Sequence, residues 1–149
     1  MSVIRNARGR APLLPIRKMP LPNQKLLLVA EDEPLVLLCA QDALEAAGFT
    51  VLTADSGGAA LEVVESRCAE LAGLITDIRL GSGPNGWDVA VRARELKPDI
   101  SIIYASADSV HERFCRGVPK SVAVKKPYGS AQLATAISTL LTEGDSGNA

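Results

Sequence analysis

The chain has 149 residues, 47% hydrophobic and 22% charged, with a mean hydropathy of +0.15, enough for one domain with a buried core and too few for a second. Its three cysteines lack any CxxC or Cys/His spacing, which argues against a disulfide framework or a zinc site and fits a reducing, cytoplasmic setting. No apolar run reaches the roughly 18 to 20 residues of a membrane span, and the start of the chain lacks the apolar core of a secretory signal.

The net charge of -1 divides unevenly. Through Lys25 there are six basic residues and no acidic one, leaving ten basic against seventeen acidic in the remainder. Residues 1–24 also hold Pro12, Pro15, Pro20 and Pro22, each lacking a backbone donor and disfavouring helix before it, so this stretch is expected to be a basic, mobile extension. A basic arm suits an acidic lipid surface, RNA or a protein partner, and equally a solvated tail. Met19, just ahead of the first apolar run, is an alternative translation start.

From Lys25 to residue 142 the pattern alternates apolar runs with amphipathic stretches. Lys25 to Ala30 (KLLLVA) reads as a strand buried on both faces. Pro34 to Ala47 reads as a helix with proline in its first turn and Gly48 at its stop. A second strand, Thr50 to Ala54, precedes a helix over about 58–68 with Asp55 or Ser56 as N-cap. The third strand, Leu71 to Ile78, leads through the loop 81–86 to a helix over about 87–96, stopped before Pro98. The fourth, Ile100 to Ala105, precedes a helix over about 109–116. The fifth, Ser121 to Lys125, precedes a helix over about 130–141, and residues 143–149 are expected to be a disordered tail. Strict βα alternation with apolar strands predicts an α/β fold, a parallel sheet covered by helices on both faces.

In such sheets functional groups collect beyond the C-terminal ends of the strands. There the first strand ends in Glu31-Asp32-Glu33, the third at Asp77, the fourth at Ser106 and the fifth at Lys125-Lys126-Pro127. Clustered carboxylates repel, so they either hold protons with raised pKa values or share a divalent cation. With oxygen donors alone the cation is a hard one such as Mg2+. A carboxylate beside it can attack phosphorus, while the cation and an ammonium neutralise the phosphoryl oxygens.

The acidic pair in Val29-Ala30-Glu31-Asp32-Glu33, the aspartate in Ile75-Thr76-Asp77, Ala105-Ser106-Ala107 and Lys126-Pro127-Tyr128 together resemble the receiver domain of two-component response regulators. The resemblance covers about residues 25–142. It implies a doubly wound, flavodoxin-like (βα)5 fold with strand order 2-1-3-4-5. It implies that Asp77 accepts a phosphoryl group from a sensor histidine kinase or a histidine phosphotransfer protein. Asp32 is then a direct Mg2+ ligand, Glu31 a second or water-mediated one, and the backbone carbonyl of Arg79 another. Ser106 binds a phosphoryl oxygen, Lys126 rather than Lys125 pairs with the phosphoryl group, and Pro127 is cis.

Three departures from the commonest receiver pattern stand out. Glu31 replaces the usual aspartate. Ala123 stands where the family carries a switch aromatic, so Tyr104 or Tyr128 is expected to carry the signal instead. Arg79 and Asp108 flank the path of the hydrolytic water, which predicts slow loss of phosphate. His111 and Glu33 are expected to be surface residues. The short C-terminal stretch leaves no room for a DNA-binding output, so the expected role is a stand-alone response regulator working through association. A homodimer through the fourth helix, fifth strand and fifth helix, using Leu133, Ile137, Leu140 and Leu141, is one such association. The rival reading is a pseudo-receiver that binds partners without phosphorylation; a small-molecule phosphatase is disfavoured for want of a general acid or cap.

Overall fold

The computed structural model describes residues 25–106, 121–126 and 128–147. The expected extension 1–24, the fourth helix with Asp108 and His111, and Pro127 lie outside the described residues. Five strands, β1 (Leu26–Ala30), β2 (Thr50–Ala54), β3 (Leu71–Asp77), β4 (Ser101–Ser106) and β5 (Ser121–Lys125), form one sheet of order β2-β1-β3-β4-β5, parallel throughout. Four helices are described: α1 (Pro34–Ala46), α2 (Gly57–Arg67), α3 (Gly86–Leu96) and α4 (Ser130–Gly147). The parallel sheet is what the alternation predicts, and its order is the one that the receiver resemblance implies for a flavodoxin-like fold.

Local chemistry accounts for the helix ends. Pro34 opens α1, where its missing N–H costs nothing, and Gly48 closes it at φ 102°, a backbone conformation that side chains with a Cβ rarely adopt. Ser56, one of two candidate caps, accepts the Ala59 N–H at 3.0 Å. Asn85 and Asp88 form a reciprocal capping box, so α3 begins at Gly86 rather than Trp87. A 3-10 turn at Cys68–Glu70, not anticipated, tightens the exit from α2. Helix α4 continues to Gly147, through most of the stretch expected to be a tail.

Alternation along the strands divides the core in two. Leu28, Leu74, Ile102 and Tyr104 face α2 and α3, where Trp87 joins them. Leu27, Val29, Ile75 and Ile103 face α1 and α4. Each fully buried Leu or Ile contributes roughly 1.5–3 kcal/mol, so both layers are needed. Leu133 and Ile137 are wholly buried in the second layer, with Leu140 and Leu141 packed against it. Leu133 and Ile137 are therefore core residues rather than the interface residues expected of them, because their side chains follow the helical period inward onto the sheet.

Register sets the site. Ala30 pairs with Ala54 and Thr76, Asp77 with Ala105, and Ser106 with Lys125, so β1, β3, β4 and β5 stop at nearly one level. The residues that follow share one rim.

Candidate functional site

At that rim the Lys126 ammonium sits among three carboxylates. Its Nζ lies 2.6 Å from Glu31 Oε1, 3.0 Å from Asp77 Oδ2 and 3.8 Å from Glu33 Oε1. The side chains of Glu31, Asp77 and Lys126 are only 3%, 11% and 14% exposed, so these charges meet largely out of water, where their attraction is strong and their desolvation costly. Lys125, by contrast, is exposed.

Backbone donors finish the pocket. Glu31 Oε2 accepts the Glu33 N–H at 3.2 Å, and Asp77 Oδ1 accepts the Arg79 N–H at 3.3 Å. The Thr76 hydroxyl donates to the Asp77 carbonyl at 2.9 Å. Gly86 lies so close that a Cβ there would stand 2.1 Å from the Asp77 carbonyl oxygen, and its N–H donates to Ile78 O at 2.8 Å. The start of α3 therefore rests directly on the end of β3.

Charge balance shapes the protonation. Burial, reinforced by the negative charge of Asp77, pushes the Glu31 carboxyl up to about 7 in spite of Lys126. Burial alone would lower the Lys126 ammonium, but hydrogen bonds to Glu31 and Asp77 outweigh it and hold it well above its ordinary value. One lysine does not neutralise this many acids. Donor oxygens of Glu31, Asp32 and Asp77 all lie within 4.8 Å of one another. A set made only of carboxylate oxygens, with excess negative charge, fits a hard divalent cation.

The structure thus brings together Glu31, Asp32, Asp77 and Lys126. Ser106 ends β4 opposite Lys125, but its side chain lies outside the described residues. Arg79 is placed by its N–H on Asp77. Three further residues contribute that the sequence pattern does not mark. Glu33, expected to be a surface acid, is exposed yet reaches towards Lys126 and steadies Glu31 through its backbone. Thr76 and Gly86 also support Asp77. The glycine opening a helix just beyond a strand-end aspartate was the available signal.

Residues 27–138 match the response regulator receiver domain family. The chain belongs to that family. The receiver domain is 41% identical to a response regulator receiver protein from Sinorhizobium medicae WSM419, whose crystal structure superposes with a TM-score of 0.78 over 82% of this chain and 98% of that one. It is 30% identical over 122 residues to the sensor kinase CckA of Brucella abortus (strain 2308). It is 29% identical over 119 residues to the response regulator SaeR of Staphylococcus aureus (strain USA300). Those matches take in 80% and 78% of this chain but only 13% and 50% of the two relatives, so the receiver aligns with one part of each longer protein. The receiver domain is thereby a component of two-component signalling. Among its described residues no helix is long and apolar enough to cross a membrane.

Proposed function

We propose that the chain is a stand-alone cytoplasmic response regulator in which Asp77 takes a phosphoryl group from a phosphohistidine of a sensor kinase or phosphotransfer protein. The observation carrying this reading is the Glu31–Lys126–Asp77 cluster at the ends of three strands, with Asp32 beside it.

In the transfer, an Asp77 carboxylate oxygen attacks phosphorus, the N–P bond of the phosphohistidine breaks, and its electron pair stays on the imidazole nitrogen. The product is an acyl phosphate. Asp32 and Asp77 would hold Mg2+ directly, with the Arg79 carbonyl and, directly or through water, Glu31 completing the protein's share. The cation neutralises phosphoryl oxygens when bound. Lys126, already on Asp77, is positioned to follow the new charge, and Ser106 is the expected donor to another phosphoryl oxygen. Gly86 and Thr76 hold the Asp77 backbone still while its side chain reacts. Output comes from association with a protein partner, the chain being an acceptor rather than an enzyme that turns over a substrate.

The test is incubation with acetyl phosphate and Mg2+ followed by intact mass. A single phosphate adduct on the wild type, absent from Asp77→Asn, is the expected result. No adduct on the wild type overturns the reading in favour of a pseudo-receiver.

A further inference from the structure

The loop between β3 and α3 borders two of the three acids of the proposed cation site. Gly86 at its far end rests on the Asp77 carbonyl, and a methyl at Gly81 would lie 3.8 Å from Asp32 Oδ2, so the loop backbone runs beside that carboxylate. Arg79, whose carbonyl is a further proposed ligand, stands two residues before Gly81. Yet Gly81, Ser82 and Gly83 are exposed and send no side chain into the core. What holds this stretch must lie on either side of it. On one side Leu80 is buried among the core residues that face α2 and α3.

On the other side Pro84 is seated on the first residue of α2. A Cβ at Gly57 would stand 1.9 Å from the Pro84 carbonyl oxygen, 2.7 Å from its carbonyl carbon and 3.1 Å from its Cβ. Gly57 is helical, so what bars a side chain there is the approach of Pro84 and not the backbone conformation. The seat is itself tied to the rim. Ser56 caps α2 by accepting the Ala59 N–H, and two residues earlier the Ala54 carbonyl accepts the Glu31 N–H at 3.0 Å. Gly57 thus joins the loop to the strand end that carries Glu31 and Asp32.

We propose that Gly57, through Pro84, is a positioning residue that sets the distance from the β3–α3 loop to Asp32 and so fits the site to a small divalent cation. The proposal rests on the cation reading of Glu31, Asp32 and Asp77. Mg2+ demands nearly octahedral oxygens at about 2.0–2.1 Å, whereas Ca2+ accepts irregular sets at about 2.3–2.6 Å. Ordinary contact begins near 3.4 Å, so a methyl at Gly57 drives Pro84 and α2 apart by more than an ångström, and the exposed loop gives way rather than the capped helix. A shift of that size takes an oxygen out of a Mg2+ shell but leaves the negative charge of the site unchanged. Loss of position therefore falls on Mg2+ and spares Ca2+, whereas loss of charge or of folded protein falls on both.

The full chain is titrated with MgCl2 and, separately, with CaCl2 by isothermal calorimetry, as wild type, Gly57→Ala, Pro84→Gly and Gly58→Ala. The Mg2+ Kd should rise at least about tenfold in Gly57→Ala, the loss typical of a group that orients metal ligands, while the Ca2+ Kd moves less than about threefold. Pro84→Gly loosens the same seat without a clash and should shift the ratio in the same direction. Gly58→Ala, whose methyl meets nothing within 4 Å, should leave both constants unchanged. An unchanged Mg2+ Kd in Gly57→Ala or Pro84→Gly, equal losses for the two ions, or a matching shift in Gly58→Ala overturns the proposal. If Gly57→Ala does not fold, Pro84→Gly decides it. A wild type that binds no Mg2+ overturns the cation reading and this proposal with it, whereas one that binds Mg2+ but takes no phosphate overturns the acceptor reading alone.

Discussion

Gly86→Ala is the most exacting single test of how the fold supports Asp77. The added methyl would lie 2.1 Å from the Asp77 carbonyl oxygen and 2.9 Å from both the Asp77 carbonyl carbon and Ile78 Cα, all of them backbone atoms. Ordinary contact begins near 3.4 Å, so α3 or the end of β3 must retreat by more than an ångström. Overpacking of this kind costs about 1–3 kcal/mol. The same movement breaks the 2.8 Å bond from the Gly86 N–H to Ile78 O, adding about 1–3 kcal/mol if the groups stay unsatisfied. Alanine returns up to about 1 kcal/mol through its lower backbone entropy. The net loss is about 1–6 kcal/mol, a large fraction of the stability of a domain this size. Gly58→Ala is the matched control: it lies in α2, its methyl meets nothing within 4 Å, and it should be neutral or stabilising by up to about 1 kcal/mol. Urea unfolding followed by far-ultraviolet circular dichroism measures both, and acetyl phosphate with intact mass measures the accompanying loss of acceptor function. Equal midpoints for the two variants would refute the claim that α3 rests on Asp77.

Stability should fall between pH 5 and pH 8 because Glu31, ordinarily near 4.5, holds its proton up to about 7 in the folded chain. Over that window the folded state binds more protons than the unfolded one, so raising the pH favours unfolding, by on the order of 3 kcal/mol in all. Urea midpoints at the two pH values should differ in the wild type and converge in Glu31→Gln; identical slopes would contradict the burial argument. Asp32→Asn should weaken Mg2+ binding by at least about tenfold, as loss of a metal-supporting group typically does. Trp87, buried next to Gly86, provides the fluorescence readout, and an unchanged titration would remove Asp32 from the cation site. Arg79→Asn should release phosphate from Asp77 severalfold faster, followed as decay of the adduct mass; an unaltered decay would mean that Arg79 does not shield the acyl phosphate from water.

The strands were legible because each is an apolar run bounded by polar residues, and the rim was legible because parallel strands deliver their last residues to one edge. Placement of the apolar side chains of α4 was not. Leu133 and Ile137 have the same periodicity whether they cover the sheet or a second copy, and only the tertiary arrangement distinguishes the two. The fate of the tyrosines was equally hidden: Tyr104 and Tyr128 both flank the rim in sequence, yet one is sealed against Trp87 and the other borders the α1–α4 layer. Gly86 has the sequence pattern of a loop residue, since nothing local reveals that the Asp77 carbonyl lies where its Cβ would be. Glu33 has the pattern of a surface acid and is exposed, but its backbone N–H serves Glu31 all the same.

Glu31, Asp77 and Lys126 sit at the ends of β1, β3 and β5 and touch only when the described sheet has closed. No nascent or clipped fragment ending before β5 contains the complete triad. On the proposed acceptor reading, phosphorylation at Asp77 would double as a certificate of folding: a donor that relies on the lysine would discriminate finished copies from unfinished ones without any separate quality check. On the same reading, proteolytic loss of β5 would leave Asp77 without Lys126 and the acceptor silent.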